Sequence, residues 1–223
     1  MTQLHAVPVR FGDGPEPGIG LVHEAAALLA GWSGGRCLVE VIAAPPLAVA
    51  EPAGHFAALG GMTRLGGPLL AARAEALAPL VLVGAGPFHP HCWRRPVEAG
   101  GGAYALLPEG APALTAAHEL GHLLLGWHDA PSAGPHCLMG NGQAPPGAWL
   151  RVQAGWAETS PVAPTTTPRG LHGIGRWGGV LVECRDRQLL AWRGPGQVTA
   201  LALAEEDLDR PVLALLAARG VHP

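Results

Sequence analysis

The sequence of 223 residues carries little charge and has no long hydrophobic run. Charged residues make up 14% of the chain and its formal net charge is -3, so we expect no basic surface that would attract nucleic acid or an anionic membrane. A transmembrane helix needs about 18 consecutive apolar residues. No such stretch occurs, and even residues 69–86 are interrupted by Arg73, Glu75 and Pro79. A nucleic-acid or membrane partner is therefore not expected.

Two further absences concern the compartment of the protein. The first residues lack a basic stretch followed by an apolar segment, which is the pattern of an export signal. The chain is therefore either intracellular or numbered from a point after such a signal. The four cysteines Cys37, Cys92, Cys137 and Cys184 form no C-x-x-C pair, which argues against a structural zinc site. They permit two disulfides, for example between Cys92 and Cys137, but free thiols are equally compatible with the sequence.

What the chain does contain predicts a folded protein of mixed α/β class. Hydrophobic residues make up 48% of it, with 33 glycines and 23 prolines, which indicates a buried core and many turns. Hydrophobic periodicity and turn residues predict strands at 4–11, 38–43, 80–84, 103–107, 179–184, 188–192 and 198–203, and helices at 19–32, 69–77, 113–125, 148–153 and 211–219. Residues 88–96 are predicted to form a surface loop. The strand at 103–107 is a candidate for a sheet edge that pairs with a bound peptide.

The main concentration of chemically reactive side chains lies between residues 118 and 129. His118, Glu119 and His122 form the pattern H-E-x-x-H, and His128 follows six residues after His122. Residues four apart lie about 40° apart around a helix axis, so both histidines share a face. Two imidazoles there can bind one zinc ion, and a third ligand leaves one coordination position for water. The helix is also predicted to have an apolar face that packs against the core. This face consists of Leu114, Ala117, Leu120, Gly121, Leu124 and Leu125.

This stretch resembles the zinc helix of the metzincin metalloproteases, whose pattern is H-E-x-x-H-x-x-G-x-x-H followed by a methionine turn. Met139, within His136-Cys137-Leu138-Met139-Gly140, stands where that turn is expected. Residues 104–109, 147–149 and 153–156 are also similar to the immune inhibitor A-like branch of secreted bacterial metalloproteases. The likeness covers about residues 100–160 of the chain.

The resemblance implies a zinc metalloendopeptidase that acts on a peptide or protein substrate. His118, His122 and His128 would hold Zn²⁺, which makes its water acidic. Glu119 would accept the proton of that water and pass it to the leaving amine. Met139 would form an apolar floor under the ligands. The implied fold is α/β (α+β), a metzincin-like zincin core with a mixed twisted sheet, an active-site helix and a methionine turn.

The third zinc ligand has two candidates because the chain departs from the family pattern at one position. The family glycine stands three residues after the second histidine, where this chain has Leu125, and Gly126 comes one residue later. Counting from His122 selects His128, whereas counting from Gly126 selects Asp129, and the immune inhibitor A-like branch uses an aspartate. We favour His128, because a neutral ligand leaves the metal more acidic. Asp129 would then orient a ligand as a hydrogen-bond acceptor.

Two other functions remain open at this point. The shifted glycine and the absent export signal are compatible with a protease-derived binding module of little or no activity, although the retained Glu119 argues for catalysis. A zinc hydrolase of a non-protein substrate is the other alternative. Tyr104 is the only tyrosine and precedes the motif, so no tyrosine after the methionine turn can stabilise an oxyanion. His136 is a substitute candidate for that role.

The predicted domain organisation has three parts. Residues 1–157 would form the metzincin-like catalytic domain, and residues 158–170, which contain Pro161, Pro164 and Pro168, would form a linker. Residues 171–223 would form a small C-terminal β-hairpin and helix appendage. Because about 50 residues make a marginal domain, we expect this appendage to pack on the core.

Overall fold

The chain forms two units, each built around a β-sheet. The computed structural model describes residues 1–12, 14–56, 79–86, 89–94, 103–141 and 144–223. Its two units are Met1–His128 and Asp129–Pro223. Both units combine strands with helices, so the predicted mixed α/β class is confirmed. Among the described residues, no helix is both long enough and apolar enough to cross a membrane.

The first unit contains a mixed sheet with the strand order β2-β1-β4-β6-β5, and the short β3 pairs with the end of β1. The pairs among β1, β2, β3, β4 and β6 are parallel, whereas β5 runs antiparallel to β6. All five residues of β4 are buried, as expected for a parallel strand covered on both faces. The strands are β1 (Thr2–Phe11), β2 (Val39–Ala43), β3 (Leu47–Val49), β4 (Leu80–Gly84), β5 (His91–Arg94) and β6 (Ala103–Pro108).

Two helices of this unit pack against each other. They are α1, Gly20–Trp32, and α2, Ala113–Leu125, and α2 also contacts β5 and β6. The predicted helix 113–125 is therefore confirmed with the same bounds. The predicted helix 69–77 lies outside the described residues.

The loop predicted at 88–96 is wrong in part, because His91–Arg94 form strand β5. The prolines Pro90 and Pro96 flank these four residues and suggested a loop. Hydrogen bonds from β6 nevertheless hold them in a strand, and proline is tolerated near a sheet edge. In the described part of the sheet, β5 is the terminal strand. The strand at 103–108 lies between β4 and β5, so its predicted position at a sheet edge is also wrong.

The second unit contains a sheet with the order β11-β10-β9-β8-β7. Its strands are β7 (Thr159–Pro161), β8 (Ile174–Trp177), β9 (Val180–Arg185), β10 (Gln188–Gly194) and β11 (Gln197–Ala202). Asp186 and Arg187 join β9 to β10 with φ angles of 50° and 59°, as a tight hairpin turn requires. The predicted hairpin is confirmed.

The described residues of the second unit form three α-helices, which are α3 (Leu138–Asn141), α4 (Ala148–Gln153) and α5 (Val212–Ala217), and two 3-10 helices at Pro131–His136 and Glu205–Asp209. Val212, Leu215 and Leu216 of α5 are buried in one cluster with residues of the sheet. Their spacing of three and four residues places them on one helix face, so α5 covers this side of the sheet. Helix α4 confirms the helix predicted at 148–153, and α5 confirms a helix within the predicted range 211–219.

A buried polar group connects α4 to this sheet. Glu183 of β9 is 4% exposed, and it accepts a hydrogen bond from the indole Nε1 of Trp192 at 3.1 Å. Arg151 of α4 forms a short ion pair with the same carboxylate, which compensates part of the cost of burying its charge. Gly147 precedes α4, and a Cβ atom there would lie 2.5 Å from the ring of Trp192. Only glycine fits at this position without movement of the indole.

The boundary between the units differs from the predicted domain organisation. It falls between His128 and Asp129, whereas the sequence suggested a linker at residues 158–170. Part of that segment forms β7, and Val162 and Pro168 within it are buried. Its Thr166 carbonyl accepts the N–H of Val212 at 2.8 Å. Residues 158–170 are thus part of the second unit.

Candidate metal centre

Helix α2 places His118, Glu119 and His122 in fixed positions. Pro112 stands at its N-cap with a φ of -61°, and the helix then runs for 13 residues. Within the helix, no glycine or proline precedes Gly121. Proline suits a helix start because its missing N–H would have no partner there. Ala116, Ala117, Leu120 and Leu123 are buried and hold one side of the helix in the core. The polar residues of the motif are therefore carried by a rigid element.

The helix ends at Gly126, which is left-handed with φ 67° and ψ 20°. Glycine adopts this conformation without the steric cost of a Cβ atom. The following residue, Trp127, is buried and donates its backbone N–H to the Gly121 carbonyl at 3.2 Å. Gly126 therefore ends α2, one residue later than the metzincin pattern places its glycine.

The two histidines of the motif turn their outer nitrogens toward each other. The Nε2 atoms of His118 and His122 are 3.1 Å apart, and the rings meet edge to face with centroids 4.7 Å apart. Two nitrogens bound to one tetrahedral zinc at about 2.0–2.1 Å lie roughly 3.3 Å apart. The distance between the two Nε2 atoms is thus close to what a shared metal ion requires.

A backbone carbonyl sets the tautomer of His122. Its Nδ1 lies 2.6 Å from the carbonyl oxygen of Trp127, and a carbonyl can only accept, so Nδ1 carries the hydrogen. In the neutral ring, Nε2 then has a lone pair for a metal. Histidine ligands of metals usually donate their other N–H in this way. This contact could not be predicted from the sequence, because its acceptor is a main-chain carbonyl.

Asp129 is the third residue that the structure brings to the histidine pair. His118, His122 and Asp129 each offer a ligand atom, and these atoms all lie within 4.8 Å of one another. His128 is exposed and belongs to no group of three potential ligands among the described residues. The structure therefore places the alternative candidate, and not the favoured one, beside the pair. The physical reason is the position of Gly126, because the chain leaves the helix there and Asp129 follows three residues later.

Glu119 is a buried carboxylate, with 6% of the residue exposed. It directly follows His118 on α2, so it is held by the same helix turn as the histidine pair. A carboxylate on the same helix turn as the histidine pair suits proton transfer.

The remaining residues singled out from the sequence lie as follows. Met139 is completely buried in α3, and its carbonyl accepts the N–H of Ala130 at 2.7 Å. Gly140 approaches Gly134 so closely that a Cβ atom would lie 2.2 Å from the Gly134 carbonyl oxygen. The turn that contains Met139 is thus tightly packed within its own unit. The role of Met139 as a floor under the ligands stays a prediction.

Tyr104, the only tyrosine of the chain, lies in the first unit, and His136, the candidate oxyanion donor, lies in the second. Tyr104 is 4% exposed within the core of the first unit. Burial, with a contribution from Cys92, raises the pKa of Tyr104, so its hydroxyl stays protonated. His136 is half-buried, and its carbonyl accepts a hydrogen bond from Arg185 at 2.6 Å. Its proposed role as an oxyanion donor remains a prediction.

None of the four cysteines forms a disulfide in the structure, so the suggested disulfide between Cys92 and Cys137 is absent. Cys137 is completely buried. Burial raises the pKa of its thiol, although backbone N–H groups of Gly147, Met139 and Gly140 and the charge of Arg185 act in the opposite direction. A protonated and inaccessible thiol is not suited to metal binding or nucleophilic chemistry.

Comparison with known proteins yields no assignment. No protein-family profile matches the chain, and no curated protein matches it significantly. The function must therefore be argued from the residues of the metal centre themselves.

Proposed function

We propose that this chain is a zinc-dependent metallopeptidase with a metzincin-like core, in which His118, His122 and Asp129 hold the metal and Glu119 transfers protons. The observation that carries the proposal is the convergence of the three potential ligands. Their ligand atoms lie within 4.8 Å of one another, and the carboxylate of Glu119 is buried in the same helix turn.

The donor set fits zinc at a catalytic site. Two imidazole nitrogens and one carboxylate oxygen are a known ligand combination for catalytic zinc, which uses three protein ligands, whereas structural zinc is held by four. The tautomer of His122, fixed by the Trp127 carbonyl, leaves the nitrogen that faces His118 ready to bind a cation. His118 and His122 would provide the nitrogens and Asp129 the oxygen.

Zinc, when bound, supplies a Lewis acid that makes water more acidic and polarises a peptide carbonyl. Glu119 accepts the proton of the attacking water and then donates it to the nitrogen of the leaving amine. Proton transfer by a positioned side chain contributes about 10²–10⁴-fold to a rate. The helix holds Glu119 at a constant position relative to both histidines, so little ordering is needed when the substrate binds.

Strand β5 supports a peptide as the substrate. It is the terminal strand in the described part of the first sheet and contacts α2. An extended peptide can add to such a strand through main-chain hydrogen bonds, which are independent of its side chains. The order of the sheet, with one antiparallel strand at the end of a parallel set, is also compatible with the core that the metzincin resemblance implies.

The first test is the zinc content of ligand variants. Purified wild-type protein is expected to hold about one zinc per chain. His118→Ala and His122→Ala each remove a ligand. Each is therefore expected to lower the zinc affinity by more than the loss of about 10–100-fold that is typical when a residue supporting a ligand is changed. His23→Ala is the matched control, because His23 is an exposed residue on α1 of the same unit. Zinc content is measured by mass spectrometry of the metal after dialysis. Unchanged content in both motif variants would remove the metal assignment.

A further inference from the structure

A second candidate binding site lies in the unit of residues 129–223, where a cavity of about 410 Å³ opens beside α4. Helix α4 lines it with Trp149, Val152 and Gln153, which share one helix face because they are three and four residues apart. Arg176 of β8 and Leu181 of β9 line the rest. They are direct partners in the antiparallel pair, so their side chains stand on the same face of the sheet.

The cavity has an apolar floor and a polar mouth. Leu181 is buried and Trp149 and Val152 are half-buried, whereas Gln153 and Arg176 are exposed. Ligand pockets in proteins commonly measure about 300–1,000 Å³ and combine apolar walls with a few polar groups. At about 30 Å³ per non-hydrogen atom, the volume that a water occupies in the liquid, this cavity holds roughly a dozen such atoms. This is the size of one amino-acid residue with a bulky side chain.

The polar residues at the mouth suggest the chemistry of the ligand. Arg176 is the one charged residue among the five that line the cavity, and it takes part in no ion pair within the described chain. Its Nε donates a hydrogen bond to the Thr159 hydroxyl at 3.2 Å, which restrains the guanidinium. Guanidinium groups bind carboxylates through paired hydrogen bonds. The side-chain amide of Gln153 offers a donor and an acceptor, which match a peptide group.

We infer that this cavity binds the C-terminal residue of a peptide that ends in an apolar side chain. The side chain enters between Trp149, Val152 and Leu181. The terminal carboxylate binds to Arg176, and the preceding peptide group binds to Gln153. None of these residues belongs to the metal centre, and the inference holds whether or not the chain cleaves peptides.

The inference is tested by NMR titration of the full chain labelled with ¹⁵N-tryptophan. The probe is N-acetyl-L-leucine, whose size of about a dozen non-hydrogen atoms matches the cavity. The indole N–H resonance of Trp149, assigned by its loss in Trp149→Phe, is expected to shift with a dissociation constant on the order of 1–10 mM, as the usual gain per ligand atom implies. N-acetyl-L-leucinamide, which lacks the charge, is expected to bind at least about tenfold more weakly.

Three variants locate the interaction. Arg176→Gln is expected to reduce binding of the acid to the level of the amide. Arg193→Gln, which changes an exposed arginine of the same unit outside the cavity, is expected to leave it unchanged. Val152→Phe fills the cavity and is expected to weaken both probes. The dispersion of the other indole resonances shows that each variant is folded.

Several outcomes would overturn the inference. These are equal binding of acid and amide, an Arg176→Gln variant that binds like the wild type, or the absence of a Trp149 shift at tens of millimolar probe. Octanoate, which has a carboxylate and an apolar chain but no peptide group, is titrated in parallel. If it binds as tightly as N-acetyl-L-leucine, the site recognises apolar carboxylates in general and the assignment to a peptide C-terminus fails.

Discussion

Glu119→Gln is expected to abolish nearly all peptide hydrolysis and to leave zinc content and fold unchanged. Glutamine has the shape of glutamate but cannot accept the proton of the attacking water, so the rate should fall by about 10²–10⁴-fold. Glu119 is not among the three potential ligands, and hence its replacement should not release the metal. The measurement is cleavage of a quenched fluorescent peptide library together with zinc analysis of the same sample.

Glu24→Gln is the matched control for this experiment. Glu24 is an exposed glutamate on α1 in the same unit, and its replacement makes the same change in charge. Its cleavage rate should equal that of the wild type. If Glu119→Gln cleaves peptides as fast as Glu24→Gln, Glu119 does not transfer the proton and the proposed mechanism is wrong.

Asp129→Ala is expected to weaken zinc binding much more than His128→Ala. His128 and Asp129 are both exposed, but only Asp129 has a ligand atom within 4.8 Å of those of the two histidines. Removal of a ligand should lower the zinc affinity by more than the loss of about 10–100-fold that is typical when a residue supporting a ligand is replaced. Zinc affinity is measured by competition with a chromophoric chelator at constant pH, because ligand protonation changes the affinity.

The opposite order would transfer the ligand role to His128. It would show that the spacing from His122, and not the position of Gly126, determines the third ligand. Asp129→Asn serves as an additional check, since the amide retains the size of the side chain and removes its charge. Its zinc affinity should lie between that of the wild type and that of Asp129→Ala.

Much of the first unit could be predicted from the sequence, because local chemistry determines it. Helix α2 has the predicted bounds because Pro112 and Gly126 mark its ends and an apolar face runs between them. The proximity of His118 and His122 follows from their spacing of four residues. The strands at 80–84 and 103–108 are runs of apolar residues that a parallel sheet buries.

Other features depend on contacts between distant residues and could not be predicted in this way. Residues 91–94 form a strand only because β6 offers hydrogen bonds. The segment 158–170 resembles a linker in composition, yet Val162 and Pro168 are buried. The cavity beside α4 needs Arg176 and Leu181 to meet Trp149, although they are more than 25 residues apart in the sequence.

The third ligand shows how one backbone conformation limits inference from a pattern. The sequence offered both His128 and Asp129, and the preference for His128 was based on ligand charge. The structure brings Asp129 to the pair because Gly126 takes the left-handed conformation and ends the helix there. A count of residues from Gly126 would have selected Asp129, but the sequence alone did not show whether the third ligand keeps its spacing from His122 or from this glycine.

Removal and return of zinc on a single preparation tests the central claim most directly. Peptide cleavage by the wild-type chain is measured before treatment with a chelator, after removal of the metal, and after addition of one equivalent of zinc. We expect cleavage to fall by at least about 10²-fold without metal and to recover when about one zinc per chain is bound. A chain that holds one zinc and cleaves no member of a peptide library, or whose cleavage survives complete removal of the metal, would contradict the proposal.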